Sequence, residues 1–114
     1  ILLNTKEFKD VLKRVLNVCK SNKESKNGAT FDFHNNKLTI LGQSEAVTVN
    51  EEIKTVQTGE DLRIALNVKF LLDYMNIAKD KITELHLLNM RSSVKVKGYN
   101  EDDVYFTMPL ALRD

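Results

Sequence analysis

The sequence predicts an α+β fold in which two helices pack on antiparallel sheet. Two segments carry apolar residues at spacings of three and four, as amphipathic helices do, and the other segments alternate apolar and polar residues as strands do. The predicted order is strand, helix, several strands, helix, three strands. Because the strands fall in consecutive runs, this order favours antiparallel pairing over a parallel wound sheet. The two halves of the chain follow a similar order, which hints at a duplicated unit.

Length and composition are typical of one soluble globular domain, which we place at residues 1–114. The chain has 114 residues, and 17 Lys and Arg against 16 Asp and Glu give a net charge of +1. No apolar run approaches the roughly 18 residues that suggest a membrane-spanning helix. Because Cys19 is the single cysteine, an internal disulfide is excluded and a cytoplasmic location is expected. The chain begins with Ile1, so we expect it to be an excerpt from a longer protein.

The first helix is predicted to follow a short apolar strand at residues 1–3. Asn4 can cap this helix, and Glu7 stands three residues later, as at many helix starts. One apolar stripe then continues for about four turns; it consists of Phe8, Val11, Leu12, Val15, Leu16 and Cys19. The polar side of the helix carries five basic residues: Lys6, Lys9, Lys13, Arg14 and Lys20. A polar loop is predicted from Ser21 to Gly28.

The middle of the chain is predicted to form strands. Alternating residues on either side of Asn35 and Asn36 indicate a hairpin with a two-residue turn. Residues 47–56 indicate one long strand or two short ones, and a further strand ends at Asn67.

A second, shorter helix is predicted from Val68 to about Lys79, with Asn67 as its cap. Its inward face is expected to carry Leu71, Leu72, Met75 and Ala78. Three strands should follow, at residues 82–88, 92–97 and 104–108. Pro109 closes the last strand because proline lacks a backbone donor.

The chemistry of the side chains favours a binding protein over an enzyme. Neither the two histidines, His34 and His86, nor Cys19 belongs to a cluster with metal-ligand spacing, and Cys19 falls on the apolar stripe of the first helix. Glycine-rich phosphate loops and nucleophile-elbow motifs are absent from the sequence. We therefore predict no catalytic residue, no metal site and no cofactor. The adjacent carboxylates Glu51 and Glu52 are expected to be solvated.

The basic face of the first helix has two interpretations. It is either an ordinary solvated face, which composition alone favours, or a surface that faces a polyanion. No aromatic residue is interleaved with the basic residues, so any contact would go to a nucleic-acid backbone without sequence preference. A free-standing basic-helix domain that binds nucleic acid directly is therefore one alternative for the whole chain.

The apolar run from Tyr105 to Leu112 near the end of the chain also has two interpretations. Chain ends are usually polar, so this run either packs inward or lines a groove for a partner. Packing is the favoured interpretation from the residues alone.

Several segments together resemble the last domain of the bacterial sliding clamp, the beta subunit of DNA polymerase III. The similar segments are Leu12–Val15, the loop Ser21–Glu24, Glu60–Asp73, Ser92–Val94 and Tyr105–Pro109. They occur in the same order as in that family, and the resemblance covers essentially the whole chain.

The resemblance implies a protomer of three such domains and a head-to-tail homodimer whose helices surround duplex DNA. In that arrangement Lys6, Lys9, Lys13, Arg14 and Lys20 are expected to face the DNA across water. Processivity would then come from the closed ring, and only weak attraction to the DNA backbone is needed.

The resemblance also implies a hydrophobic cleft that takes short extended peptides from polymerases, the clamp loader and repair proteins. Matching positions in this chain are Asn67, Phe70, Arg91, Ser93, Phe106, Met108, Pro109 and Leu110. Phe70 stands where many members have Tyr, and Arg91 where a small apolar residue is common. Ala111 and Leu112 precede Arg113, so the rim charge is displaced from its usual place.

Overall fold

The computed structural model describes residues 1–21 and 26–110 and confirms the predicted α+β fold. Residues 22–25 of the predicted loop and residues 111–114, with Ala111, Leu112 and Arg113, lie outside the described residues. The first half contains β1 (Leu2–Asn4), α1 (Thr5–Cys19), β2 (Gly28–His34), β3 (Lys37–Gln43) and β4 (Thr48–Lys54). The second half contains β5 (Leu62–Asn67), α2 (Val68–Met75), β6 (Ile82–His86), β7 (Val94–Gly98) and β8 (Val104–Thr107). Each half therefore has one strand, one helix and three further strands.

The strands form two four-stranded antiparallel sheets, a number that the sequence did not predict. One sheet has the order β4-β3-β2-β5 and the other has the order β1-β6-β7-β8. The sheets join at two places. Leu2 and Val56 exchange backbone hydrogen bonds of 2.9 and 2.8 Å, and the Leu110 N–H donates to the Ala65 carbonyl at 2.8 Å. Hydrogen bonds between such distant segments cannot be predicted from the alternation of apolar and polar residues along a strand.

The start of α1 follows the prediction closely. The side chain of Asn4 accepts a hydrogen bond from the Glu7 N–H at 2.9 Å, which satisfies one of the free donors of the first turn. The apolar stripe is buried except for Leu16, which is half-buried. The helix packs against β3, β4 and α2.

The β2–β3 hairpin has the predicted two-residue turn. His34 pairs with Lys37, and Asn35 and Asn36 between them have φ values of 52° and 60°. Both values are positive, as in the type I′ turn that suits the twist of a hairpin, and asparagine tolerates this conformation better than most residues.

The second helix is shorter than predicted because the backbone N–H groups that would extend it donate to a side chain from another loop. It ends at Met75, not near Lys79. The N–H groups of Lys79 and Asp80 donate to the carboxylate of Glu101 at 3.1 and 2.8 Å. This contact ties the α2–β6 loop to the β7–β8 loop, where Asp80 in turn accepts from the Asn100 N–H at 2.7 Å.

One hydrophobic core lies between the helices and the sheets. Its largest fully buried side chains include Phe8, Leu12, Phe31, Phe33 and Ile64. In the described part of the chain, no helix is long and apolar enough to cross a membrane.

Candidate functional site

Four of the predicted DNA-facing residues share one exposed side of α1. At about 100° per residue, Lys6, Lys9, Lys13 and Lys20 fall within an arc of roughly 60°. Lys9 is half-buried and the other three are exposed. None of the four forms an ion pair with a described residue. We call this set the lysine face; its centre lies about 120° around the helix from that of the apolar stripe that anchors α1 in the core.

Arg14 differs from the lysine face in both position and pairing. It lies about 80° around the helix from Lys6, on the flank next to β4. Its Nε donates to Glu51 Oε1 at 2.7 Å, and its Nη2 lies 2.7 Å from the same oxygen. This hydrogen bond to Glu51 is the main cause that raises the pKa of Arg14.

The expectation that Glu51 and Glu52 are both solvated is thus wrong for Glu51. The side chain of Glu51 is 21% exposed and holds Arg14, whereas that of Glu52 is 60% exposed. Alternation along β4 explains the difference, because neighbouring residues of a strand point to opposite faces.

An apolar groove lies between α2 and β8. Its volume is about 710 Å³, and its walls include Phe70 and Tyr74 from α2, Ile77 from the turn after α2, and Tyr105 and Phe106 from β8. Further lining residues are Asn67, Leu71, Asp73, Val96, Thr107, Met108, Pro109 and Leu110. Six of the eight residues predicted for a peptide cleft are therefore brought together here: Asn67, Phe70, Phe106, Met108, Pro109 and Leu110.

The exposure of this groove corrects the interpretation that the terminal apolar run packs inward. Phe106 is 67% exposed and Met108 is 64% exposed. The reason is that β8 is an edge strand with β7 as its one neighbour in the sheet. Leu110 is half-buried, and its N–H donates a hydrogen bond to the Ala65 carbonyl.

Arg91 and Ser93, the other two predicted cleft residues, do not line the groove. Ser93 and Lys95 line a second cavity of about 660 Å³, while Val96 lines the groove. Residues two apart share a face of a strand, so the register of β7 turns Ser93 away from the groove. Arg91 is exposed in the β6–β7 turn, where its N–H donates to the Asn89 side chain at 2.8 Å.

Sequence reasoning missed Tyr74 and Ile77 as groove residues, and it named Tyr105 only as part of the terminal apolar run. The rings of Tyr74 and Tyr105 lie 4.5 Å apart, centroid to centroid, and join α2 to β8. A signal was present, because Phe70, Tyr74 and Ile77 follow at helical spacings of four and three. These three residues line the groove, whereas Leu72 and Met75 face the core and Leu71 contributes to both.

The histidines and the cysteine have structural surroundings. His34 pairs with Asp61, and His86 Nε2 lies 3.1 Å from Glu84. Burial raises the pKa of the Cys19 thiol to about 11. Within residues 1–21 and 26–110, no group of three or more His, Cys, Asp or Glu side chains could hold a metal ion.

Comparison with known proteins decides the family. The family described as DNA polymerase III beta subunit, C-terminal domain, matches residues 1–111. The chain belongs to this family. The resemblance found in the sequence is thereby confirmed.

Individual clamp proteins agree with this assignment. The beta sliding clamp of Proteus mirabilis is 33% identical over 87 residues, which make up 75% of this chain and 24% of that clamp. The DNA polymerase III beta subunit of Thermotoga maritima superposes with a TM-score of 0.90 at 24% identity, over 98% of this chain and 30% of that one. The Pseudomonas aeruginosa subunit gives 0.89 at 24% identity, over 97% and 30%. The chain thus has the fold of a clamp domain and spans between 24% and 30% of these relatives.

Proposed function

We propose that the chain is the C-terminal domain of a sliding clamp that encircles duplex DNA and keeps a replicative polymerase on its template. The observation that carries this proposal is the lysine face, a set of four cations on one side of a helix whose other side is anchored in the core. Membership of the clamp family supports duplex DNA as the polyanion for this face.

The lysine face suits sliding because it can attract phosphates without reading bases. Lysine is a flexible point charge, and contacts to the phosphate backbone carry no sequence information. Each phosphate contact contributes about −0.9 to the slope of log affinity against log salt. Four such contacts give weak, salt-sensitive attraction, so that ring closure and not tight binding retains the DNA.

The parent protein is proposed to have three such domains per protomer and to close as a head-to-tail homodimer. In this arrangement the domain is a non-enzymatic part of a cytoplasmic replication machine. The 24% share of the Proteus mirabilis clamp that aligns with the chain supports a longer parent.

The apolar groove is proposed as the docking site for short extended peptides of polymerases, the clamp loader and repair proteins. Exposed Phe70, Phe106 and Met108 offer apolar surface that a partner can cover, and methionine adapts to different side chains. Phe70 provides a wall without the hydroxyl group of a tyrosine. Arg91 and Ser93 lie away from this groove, so we leave them out of the proposed site.

A peptide titration of the 114-residue chain tests the groove. A short peptide of the type that polymerases present to clamps should shift the amide NMR signals of residues around Phe70 and Met108. Met108→Lys should abolish the shifts, because it places a charge on the apolar wall. Its free energy of unfolding should change by no more than about 0.5 kcal/mol, since the side chain is exposed.

Met90→Lys is the matched control, because Met90 is 41% exposed and lies outside the groove. It should bind the peptide as the wild-type chain does. Shifts confined to other surfaces, or equal loss in both variants, would contradict the docking role of the groove.

Binding of the chain to a DNA duplex separates the clamp domain from the free-standing nucleic-acid-binding alternative. Weak binding that vanishes as salt rises is expected of a clamp domain. Both models give a slope near −4, so the affinity distinguishes them: tight binding would favour the alternative, in which most of five cations contact phosphates directly.

A further inference from the structure

The pairing of Arg14 with Glu51 divides the five basic residues of α1 into two groups. The lysine face is free of described carboxylate partners, whereas two nitrogens of Arg14 lie 2.7 Å from Glu51 Oε1. Asp10, four residues before Arg14, adds a second negative charge near this guanidinium. Arg14 therefore faces a local acidic environment, although 56% of its side chain is exposed.

Glu51 is placed to hold Arg14 firmly. It lies in the middle of β4, where its backbone pairs with Ile40 of β3. Its side chain is only 21% exposed. Because the carboxylate is fixed to a sheet while the arginine side chain is flexible, the pair keeps the guanidinium over β4 and away from the lysine face.

We propose that Glu51 withholds Arg14 from DNA, so that the clamp domain meets the duplex with four cations instead of five. This inference rests on the proposed DNA-facing role of α1 and concerns how strongly that surface attracts phosphates. Glu51 competes with phosphate for the same guanidinium and acts through Arg14 without touching the DNA. It is a positioning residue that keeps the attraction weak enough for sliding.

The competition has a measurable consequence in the salt dependence of binding. Releasing Arg14 adds one phosphate contact, which makes the slope of log affinity against log salt steeper by about 0.9. A fourfold rise in salt then weakens binding by an extra factor of about 3.5. At low salt the affinity should rise by about two- to fivefold, the range that corresponds to measured energies of exposed ion pairs.

The test measures binding of a short DNA duplex to the full chain by fluorescence anisotropy over a range of salt concentrations. Glu51→Gln should bind more tightly and with the steeper slope. Glu52→Gln is the matched control, because it removes the same charge from the neighbouring position on the other face of β4. It should show the smaller gain that a change in net charge alone produces, with an unchanged slope.

Two variants in α1 test the inference without altering Glu51. Arg14→Gln should leave the slope of the wild-type chain unchanged, since Arg14 is already withheld, whereas Lys13→Gln should flatten it by about 0.9. In the Arg14→Gln background, Glu51→Gln should have no more effect than Glu52→Gln. Circular dichroism establishes that each variant is folded.

The outcomes separate this inference from the proposed function. If the wild-type chain binds and Lys13→Gln weakens binding, but Glu51→Gln matches Glu52→Gln, the withholding of Arg14 is refuted while the DNA-facing surface stands. Equal flattening by Arg14→Gln and Lys13→Gln refutes it as well. If only Glu51→Gln binds, the lysine face does not attract DNA by itself, which refutes both the proposed role of that face and the four-cation surface inferred from it. If neither the wild-type chain nor Glu51→Gln binds, the proposed function and this inference are both refuted.

Discussion

A buried pair of hydroxyl groups joins the two halves of the domain and allows a quantitative test. Thr5 at the start of α1 and Thr83 in β6 have their Oγ1 atoms 2.7 Å apart. Their exposed fractions are 8% and 0%, so water cannot replace either partner. Valine has nearly the shape of threonine, and a Thr→Val change here removes the hydroxyl group without opening a large cavity.

Each single substitution should destabilise the domain more than the double substitution does. Thr83→Val leaves the hydroxyl of Thr5 buried without its partner, which costs about 1–3 kcal/mol. Thr5→Val leaves Thr83 with only the sulfur of Met75, 4.0 Å from its Oγ1. With both hydroxyls replaced no polar group is stranded, so we expect the double variant to lose less than about 1 kcal/mol.

Urea unfolding followed by circular dichroism measures these differences, provided that all variants share the same slope of free energy against urea. Thr48→Val, at an exposed position of β4, is the control and should change stability by at most about 0.5 kcal/mol. If the two single costs add to the double cost within about 0.5 kcal/mol, the two hydroxyls do not depend on each other and the argument fails.

Three further predictions concern packing, acid stability and thiol reactivity. Gly42→Ala should destabilise by about 1–3 kcal/mol in urea unfolding, since its Cβ would lie 2.8 Å from Val15 Cγ1 beneath α1; an unchanged midpoint would show that α1 can shift. His34 lowers the pKa of Asp61, so this carboxylate stabilises the fold above about pH 4 and the benefit disappears as pH falls further. Asp61→Asn should therefore lower the urea midpoint more at neutral pH than at about pH 3, and equal loss at both would contradict this. Cys19, with its pKa raised to about 11, should react with a thiol reagent at mildly alkaline pH only when the domain unfolds, and fast labelling of the native chain would refute its burial.

Much of the candidate site could be predicted because its signals are local. The lysine face follows from spacing along one helix, and the caps of both helices follow from Asn4 and Asn67, whose side chains accept from the Glu7 and Phe70 N–H groups. The groove residues near the end of the chain came from the family resemblance, and six of its eight positions line one groove. None of these features depends on which strand neighbours which.

The errors arose where distant segments meet. The end of α2 depends on Glu101, which is 22 residues beyond Lys79 in the chain. Ser93 was misplaced because the face to which a strand residue points depends on register, and a shift of one residue reverses it. Arg14 looks like any other cation of α1 until β4 brings Glu51 beside it.

The sequence by itself thus determined the fold class, the element order and the basic side of α1, because periodicity and capping act over a few residues; its resemblance to clamp proteins indicated the family. Only the tertiary structure decided that the strands divide into two joined sheets, that Phe106 and Met108 stay exposed on an edge, and that Arg14 is paired with Glu51. Pairing between strands and between charges depends on which parts of the chain lie together in space, and no local pattern of residues contains that information.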